Sequence, residues 1–280
     1  MKLYRLHRII TRVLYHFCLI FFLLVVILPF YFMLITSLKF EKNLFILPIQ
    51  YIPNPITLQS YVEAWSDSAF FVAFVNSFVV SISVMVFVTV VSMFAGYALS
   101  RYTFRGKLVV TLLFLASQMV PQVLLIVPIF LIFKDLKLIN TLFSLIITAS
   151  TATLAYCLIL MKGFFSGVSV QLEQAAQIDG CTKVQAVWFV ILPLIIPGAV
   201  VTGSYAFVSS WNSYIMPLVL TNSPSKYTLP IALNLLIGRY TVSYTRLAAA
   251  GIICLLPAVL MFSYIQKYMV DGLATGSIKG

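Results

Sequence analysis

Residues Ser169 to Pro193 read SVQLEQAAQIDGCTKVQAVWFVILP, a polar stretch set between two apolar blocks. Ser169 stands where a side-chain oxygen can cap a helix running from Val170 to about Ile178. Leu172, Ala175, Ala176 and Ile178 supply that helix with apolar contacts at helical spacing. Gly180 follows where a left-handed residue ends a helix. Thr182 with Gln185 three residues on predicts a capping box, and a second helix running toward Pro193. The product is a short helix, a tight glycine turn and another helix that leads directly into an apolar run. Alanines on the first helix leave a low-relief surface on which another protein can pack closely. No other long segment between apolar blocks reads as an ordered polar element; the rest read as tethers.

Composition says what kind of protein surrounds this element. At 280 residues, 62% hydrophobic and 9% charged, the chain is no ordinary soluble domain. Lys and Arg number 18 against 7 acids, which raises nucleic-acid binding. These cations punctuate apolar blocks instead of sharing one face, so they read as positive flanks that orient membrane helices. Cys18, Cys157, Cys181 and Cys254 are scattered, mostly in apolar runs, and read as buried free thiols, not a disulfide framework or a metal site. His7 and His16 have no carboxylate or cysteine partner in sequence reach, and no residues are arranged for catalysis.

The hydropathy pattern predicts an all-α membrane protein with six spans. A basic arm, 1–16, precedes a first span at about 17–38. That run is too long for a signal-peptide core and lacks a small-residue cleavage site, so it is read as a retained span. Further spans are expected at 70–99, 108–133, 139–161, 194–220 and 247–266. The segment Lys39–Ala69 holds Pro48, Pro53 and Pro55 and reads as an external irregular loop, with Ile56–Trp65 helical along the outer surface. Gly163 and Gly167 read as a loop hinge at the start of a 163–193 loop, and 267–280 is a tail. The basic arm and the turn Arg101, Arg105, Lys107, read as a topology anchor, put both termini in the cytoplasm.

The organising stretch resembles the signature of binding-protein-dependent ABC importer permeases: Glu-Ala-Ala, three residues, Gly, nine residues, Ile, any residue, Leu-Pro. Gln174-Ala175-Ala176, Gly180 and Val190-Ile191-Leu192-Pro193 fall at those spacings, with Gln174 in place of the glutamate and Val190 in place of the isoleucine. Glu173 keeps a carboxylate one residue earlier. ITLQSYVEAW followed by FVNSF, AGYALSRYTFRGK, and the ending QKYMVDGLATGSIKG extend the likeness to the second, six-span subunit of the maltose-type carbohydrate permeases. Gly272-Leu273, Gly276 and Lys279-Gly280 fit that ending. The resemblance implies the type I importer permease fold. It implies a second permease subunit, two ATPase subunits, an external solute-binding protein and a carbohydrate, an oligosaccharide by expectation. It also implies that Glu173, Gln174, Ala175, Ala176, Asp179 and Gly180 couple to the ATPase. The chain has no G-x-x-x-x-G-K-[ST], so ATP and Mg belong on the partner ATPase and the chain itself needs no cofactor.

No Asp, Glu, Lys or Arg falls inside a proposed span, which argues against an ion-coupled carrier and for an external energy source. Asn76, Gln118, Gln122 and Asn212 are the polar candidates for a translocation path, and Trp211 offers a ring face to a sugar. Most of the serines and threonines in the spans read as helix-packing residues. In the maltose-type permeases the loop before the last span reaches into the docked binding protein; the resemblance assigns that contact to Gly238, Arg239, Tyr240 and Tyr244, with Arg239 and Arg246 free to meet acids on a partner. An interfacial belt anchoring the last span is the other reading of those residues. A permease for a polyol or a glycerol phosphate stays open, as does a channel or scaffold without energy coupling.

Overall fold

A bilayer offers no water to unpaired N–H and C=O groups, so a chain this apolar satisfies them within helices. A computed structural model describes residues 2–238 and 242–276, the side chains at 2–6, 9 and 269–276 excepted. Its helices are α1 (Lys2–Ser37), α2 (Gln59–Ser66), α3 (Ser68–Arg101), α4 (Lys107–Ser117), α5 (Ile126–Asp135) and α6 (Leu142–Gly167). They continue with α7 (Val170–Ile178), α8 (Lys183–Ala186), α9 (Leu192–Trp211), α10 (Ile215–Leu220), α11 (Leu229–Leu235) and α12 (Tyr244–Gly276). Among the described residues there is no strand, only an isolated antiparallel bridge between Ile237 and Val242.

Among the described residues, five helical segments are long and apolar enough to cross a membrane: Ile10–Ser37, Ser68–Arg101, Leu142–Gly167, Lys183–Trp211 and Tyr244–Tyr268. The expected third span is not one straight helix. Lys107–Ser117 and Gln122–Asp135 meet at a 92° bend and make a sixth span only if taken together. Pro121 explains the break: it has no N–H to give the ladder, and its backbone is extended (φ −60°, ψ 123°). Other boundaries differ from the sequence reading: α1 already begins within the 1–16 arm, and α12 runs on to Gly276 in the expected tail. The helix expected to end at Met161 continues through Gly163 to Gly167, so the supposed hinge is helical. The fifth run breaks after Trp211, and α10 restarts at Ile215.

Contacts divide the chain into two units, Met1–Asp67 with Leu235–Cys254, and Ser68–Asn234 with Leu255–Gly280. In the first unit, Glu41 gathers the start of α12: it accepts from the backbone N–H of Tyr244 (3.0 Å) and Thr245 (3.1 Å) and from the hydroxyls of Ser243 (2.9 Å) and Thr245 (2.7 Å). A carboxylate there fills the orphan donors of a helix N-terminus. Burial works to raise its pKa, but the hydrogen bonds from Thr245, Ser243 and Tyr244 outweigh it and hold the carboxyl below the usual value. Apolar side chains of α1 from Ile10 to Phe32 are largely exposed, a surface that only lipid or another membrane protein covers.

In the second unit, α3, α6 and α9 pack on one another. Val80, Val84, Val88, Leu145, Cys157 and Ala206 fill one layer between them. Met161, Phe165, Ile191 and Ile195 fill a second, where α6 ends and α9 begins. Lipid tails are as apolar as these side chains, so close approach and hydrogen bonds hold such helices together, not apolar burial alone. Gly198 shows how close: a Cβ there would lie 2.4 Å from Cγ and 2.9 Å from Cβ of Phe164.

Candidate functional site

The segment between α6 and α9 is built from short-range bonds that its own residues supply. Ser169 Oγ accepts from Gln171 N–H at 3.2 Å and starts α7. At the other end Gly180, at φ +94°, donates to the Gln177 carbonyl (3.1 Å) while Cys181 donates to that of Ala176 (2.9 Å). This pair of bonds is the Schellman arrangement, and its left-handed residue is the one glycine fills without strain. Thr182 and Gln185 then form the capping box: Thr182 N–H donates to Gln185 Oε1 (2.8 Å) and Gln185 N–H to Thr182 Oγ1 (3.3 Å). From α8 the backbone passes through a π-helical turn, Val187–Ile191, into α9 without interruption. A push on this segment is therefore a push on α9.

Two faces separate along it. Glu173, Ala176 and Ala186 are buried. Leu172, Gln174, Ala175, Ile178, Asp179 and Gly180 are exposed, and Ile178 is 86% exposed. Val184, Trp188 and Phe189 are exposed in the following turns. Of the residues expected to couple, Gln174, Ala175, Asp179 and Gly180 thus share the outer side. Two placements are corrected. Ala176 lies beneath α7, not on its open face, because helical spacing puts it on the side of Glu173. Glu173 turns inward because Arg101 waits there: Arg101 Nε donates to Glu173 Oε1 at 2.5 Å, both side chains 6% exposed. Arg101 Nη1 and Nη2 donate to the carbonyls of Phe165 and Val168, each at 2.9 Å, and Tyr97 OH reaches Glu173 Oε2 at 3.4 Å. Sequence reading missed this pair. Its members lie 72 residues apart, and only the scarcity of charge near the spans hinted that each needed a partner.

The expected path residues do not gather into one site. Asn76 Nδ2 donates to the carbonyls of Ser225 (3.0 Å) and Tyr227 (2.9 Å), and Ser77 Oγ accepts from Leu229 N–H (2.7 Å), so this turn of α3 ties down the chain before α11. Trp211 is 3% exposed, stacked on Phe207 (centroids 5.6 Å apart) and met edge-on by Phe74; its ring faces a packed core and offers no open face to a sugar. Gln118 and Gln122 are exposed at the α4–α5 break, and Asn212 is exposed at the end of α9. Gln122 borders a cavity of about 20 Å³ shared with Ser77, Ser210 and Thr228. That volume holds a water, not a sugar ring.

Gly238 is exposed on the loop before α12 and Tyr244 at that helix's first position, and Arg239 and Tyr240 lie outside the described residues. Tyr244 also packs edge-on against Phe45 at 5.9 Å. Arg246 is not free for a partner, because it is ion-paired with Asp67. Of the expected C-terminal signature, Lys279 and Gly280 likewise lie outside the described residues.

Residues 88–274 match the family described as binding-protein-dependent transport system inner membrane component. The chain belongs to that family. It is a multi-pass inner-membrane ABC permease, with ATP hydrolysis assigned by the family to separate subunits. Among its relatives is the sulfoquinovosyl glycerol transport system permease protein SmoH of Agrobacterium fabrum, 32% identical over 90% of this chain and 88% of the relative. The arabinooligosaccharides transport system permease protein AraQ of Halalkalibacterium halodurans is 32% identical over 81% of each chain. The diacetylchitobiose uptake system permease protein DasC of Streptomyces coelicolor is 29% identical over 91% of this chain and 92% of its own. In three dimensions a chain of a bacterial ABC transporter involved in alginate import superposes with a TM-score of 0.80 at 22% identity, over 92% of this chain and 96% of that one, so the permease fold is shared.

Proposed function

We propose that this chain is one of two paired permease subunits of an ATP-driven importer, and that the outer face of residues 172–189 is where an ATPase subunit docks. One observation carries the reading. A capped helix, a glycine turn and a second capped helix present Leu172, Ala175, Ile178, Val184, Trp188 and Phe189 outward and run on into α9 without a break. A passive pore has no use for such an element. ATP and Mg, held by two ATPase subunits, close those subunits on each other; the docked segments move with them and reorient the spans between outward-open and inward-open states. An external solute-binding protein delivers the substrate and meets Gly238, on the loop before α12, and Tyr244, at that helix's first position. The substrate is a carbohydrate, an oligosaccharide in particular. Support comes from relatives named for a sulfoquinovosyl glycerol, a diacetylated disaccharide and arabinooligosaccharides.

Docking is tested by copurification. Ile178→Asp and Trp188→Asp place unpaired charges in the contact and are expected to lower recovery of the ATPase with the membrane complex by about tenfold. Gln174→Glu, exposed beside them, is expected to leave it unchanged. Full recovery with both aspartates would remove the docking face. The sugar is identified by what the purified binding protein retains.

Orientation follows the basic flanks, with both termini in the cytoplasm. Single cysteines replacing Ser225 and Gly276, in a chain without its four native thiols, are expected to label from opposite sides. Ser225→Cys should react with an impermeant thiol reagent on intact cells, and Gly276→Cys only after the membrane is opened. Equal outside labelling would overturn the arrangement.

A further inference from the structure

We infer that Arg101 is a positioning residue for energy coupling: it locks the docking helix α7 and the end of α6 onto the end of α3, so that movement of the docking segment enters the helix core through α3 as well as α9. The inference rests on the docking reading proposed above. Arg101 closes α3 and turns its whole guanidinium inward. Its Nε holds Glu173 on α7; its Nη1 and Nη2 hold the carbonyls of Phe165 and Val168, where α6 stops. These carbonyls lie at the helix end, where acceptors run short of intrahelical donors; among the described residues the Phe165 carbonyl otherwise accepts only the Val168 N–H at 3.2 Å. One side chain thus joins three elements. Lys183 at the start of α8 adds a neighbouring tie, its ammonium 4.5 Å from the centroid of the Tyr102 ring, next to Arg101 in the chain.

The chemistry fits a geometric role better than a stabilising one. Two charges taken out of water repay their desolvation only with complete hydrogen bonding, and well-packed apolar residues of the same size often hold a fold as well or better. What an apolar pair lacks is direction. A planar fork with several fixed donors sets the angle between α7 and the α3–α6 pair, whereas a lysine offers one point charge and cannot reach three spread acceptors. Removing the pair therefore loosens the angle while the helices still pack.

The test uses the complete transporter in proteoliposomes and reads solute moved per ATP hydrolysed. Arg101→Met/Glu173→Met removes both charges at similar volume; Arg101→Lys keeps one charge without the fork. Both are expected to insert and to retain the ATPase subunits at wild-type stoichiometry. The double variant should move about tenfold less solute per ATP, with Arg101→Lys in between. A wild-type ratio in the double variant overturns the inference. So does loss of insertion or assembly in both variants, which makes Arg101 a folding residue only. Failure of the docking reading is separately visible: the Ile178→Asp complex, whose ion pair is intact, then retains its ATPase.

Discussion

Gly180→Pro is expected to abolish uptake while the chain still reaches the membrane. The backbone there sits at φ +94°, and proline is locked near the opposite sign. The substitution also removes the N–H that Gly180 donates to Gln177, half of the bond pair that ends α7. Proline at a position whose φ it cannot adopt and whose N–H is bonded costs more than about 1 kcal/mol and forces α7 to end differently. The outward face of α7 then loses its alignment with that of α8, so the expected uptake is below about 1% of wild type. Gly180→Ala keeps the N–H and pays only the left-handed penalty of about 1 kcal/mol, so it should retain measurable uptake. Radiolabelled solute uptake in cells with matched membrane levels checks both. Normal uptake by the proline variant would mean that the turn plays no part in coupling.

Gly198→Leu acts on the helix core instead. The first carbon of any side chain there lies 2.4 Å from the Phe164 ring and 2.9 Å from its Cβ, so α6 and α9 must part or Phe164 must leave its place. Overpacking of this kind costs about 1–3 kcal/mol in a well-packed core, and leucine adds further atoms along the same line. The expected result is a lower melting temperature of the detergent-solubilised complex and a several-fold lower membrane level, with Gly198→Ala intermediate. An unchanged level for the leucine variant would show that this contact is loose.

The contrast between those positions explains what the sequence reveals about this chain. The caps around α7 and α8 are bonds between residues two to five apart, so Ser169, Gly180 and the Thr182–Gln185 pair are legible from residue type and spacing alone. The apolar runs are legible for the same reason, since hydropathy is local. Which way α7 faces is not local. It depends on Arg101, remote in sequence, and so residue spacing alone does not show that Glu173 and Ala176, both expected to couple to the ATPase, lie on the buried side. Trp211 followed the same rule: a tryptophan beside an asparagine suggests a sugar platform, but Phe207 one turn back and Phe74 on another helix claim its ring. Proline signalled a disturbance in the third span, yet not whether the helix would kink or break into a 92° corner. Asn76 shows the remaining gap, because a buried amide demands partners without saying which, and its partners are carbonyls of a loop about 150 residues away.

Import of a carbohydrate at the expense of ATP through the docking segment, as proposed above, has a direct test. It uses proteoliposomes containing this chain, its paired permease and the two ATPase subunits, loaded inside with ATP and Mg. With a labelled oligosaccharide and the binding protein outside, accumulation above the external concentration is expected. Accumulation should stop when either ATP or the binding protein is left out, or when Gly180 is replaced by proline. Equilibration of the sugar to the external concentration without ATP, unaffected by Gly180→Pro, would contradict it.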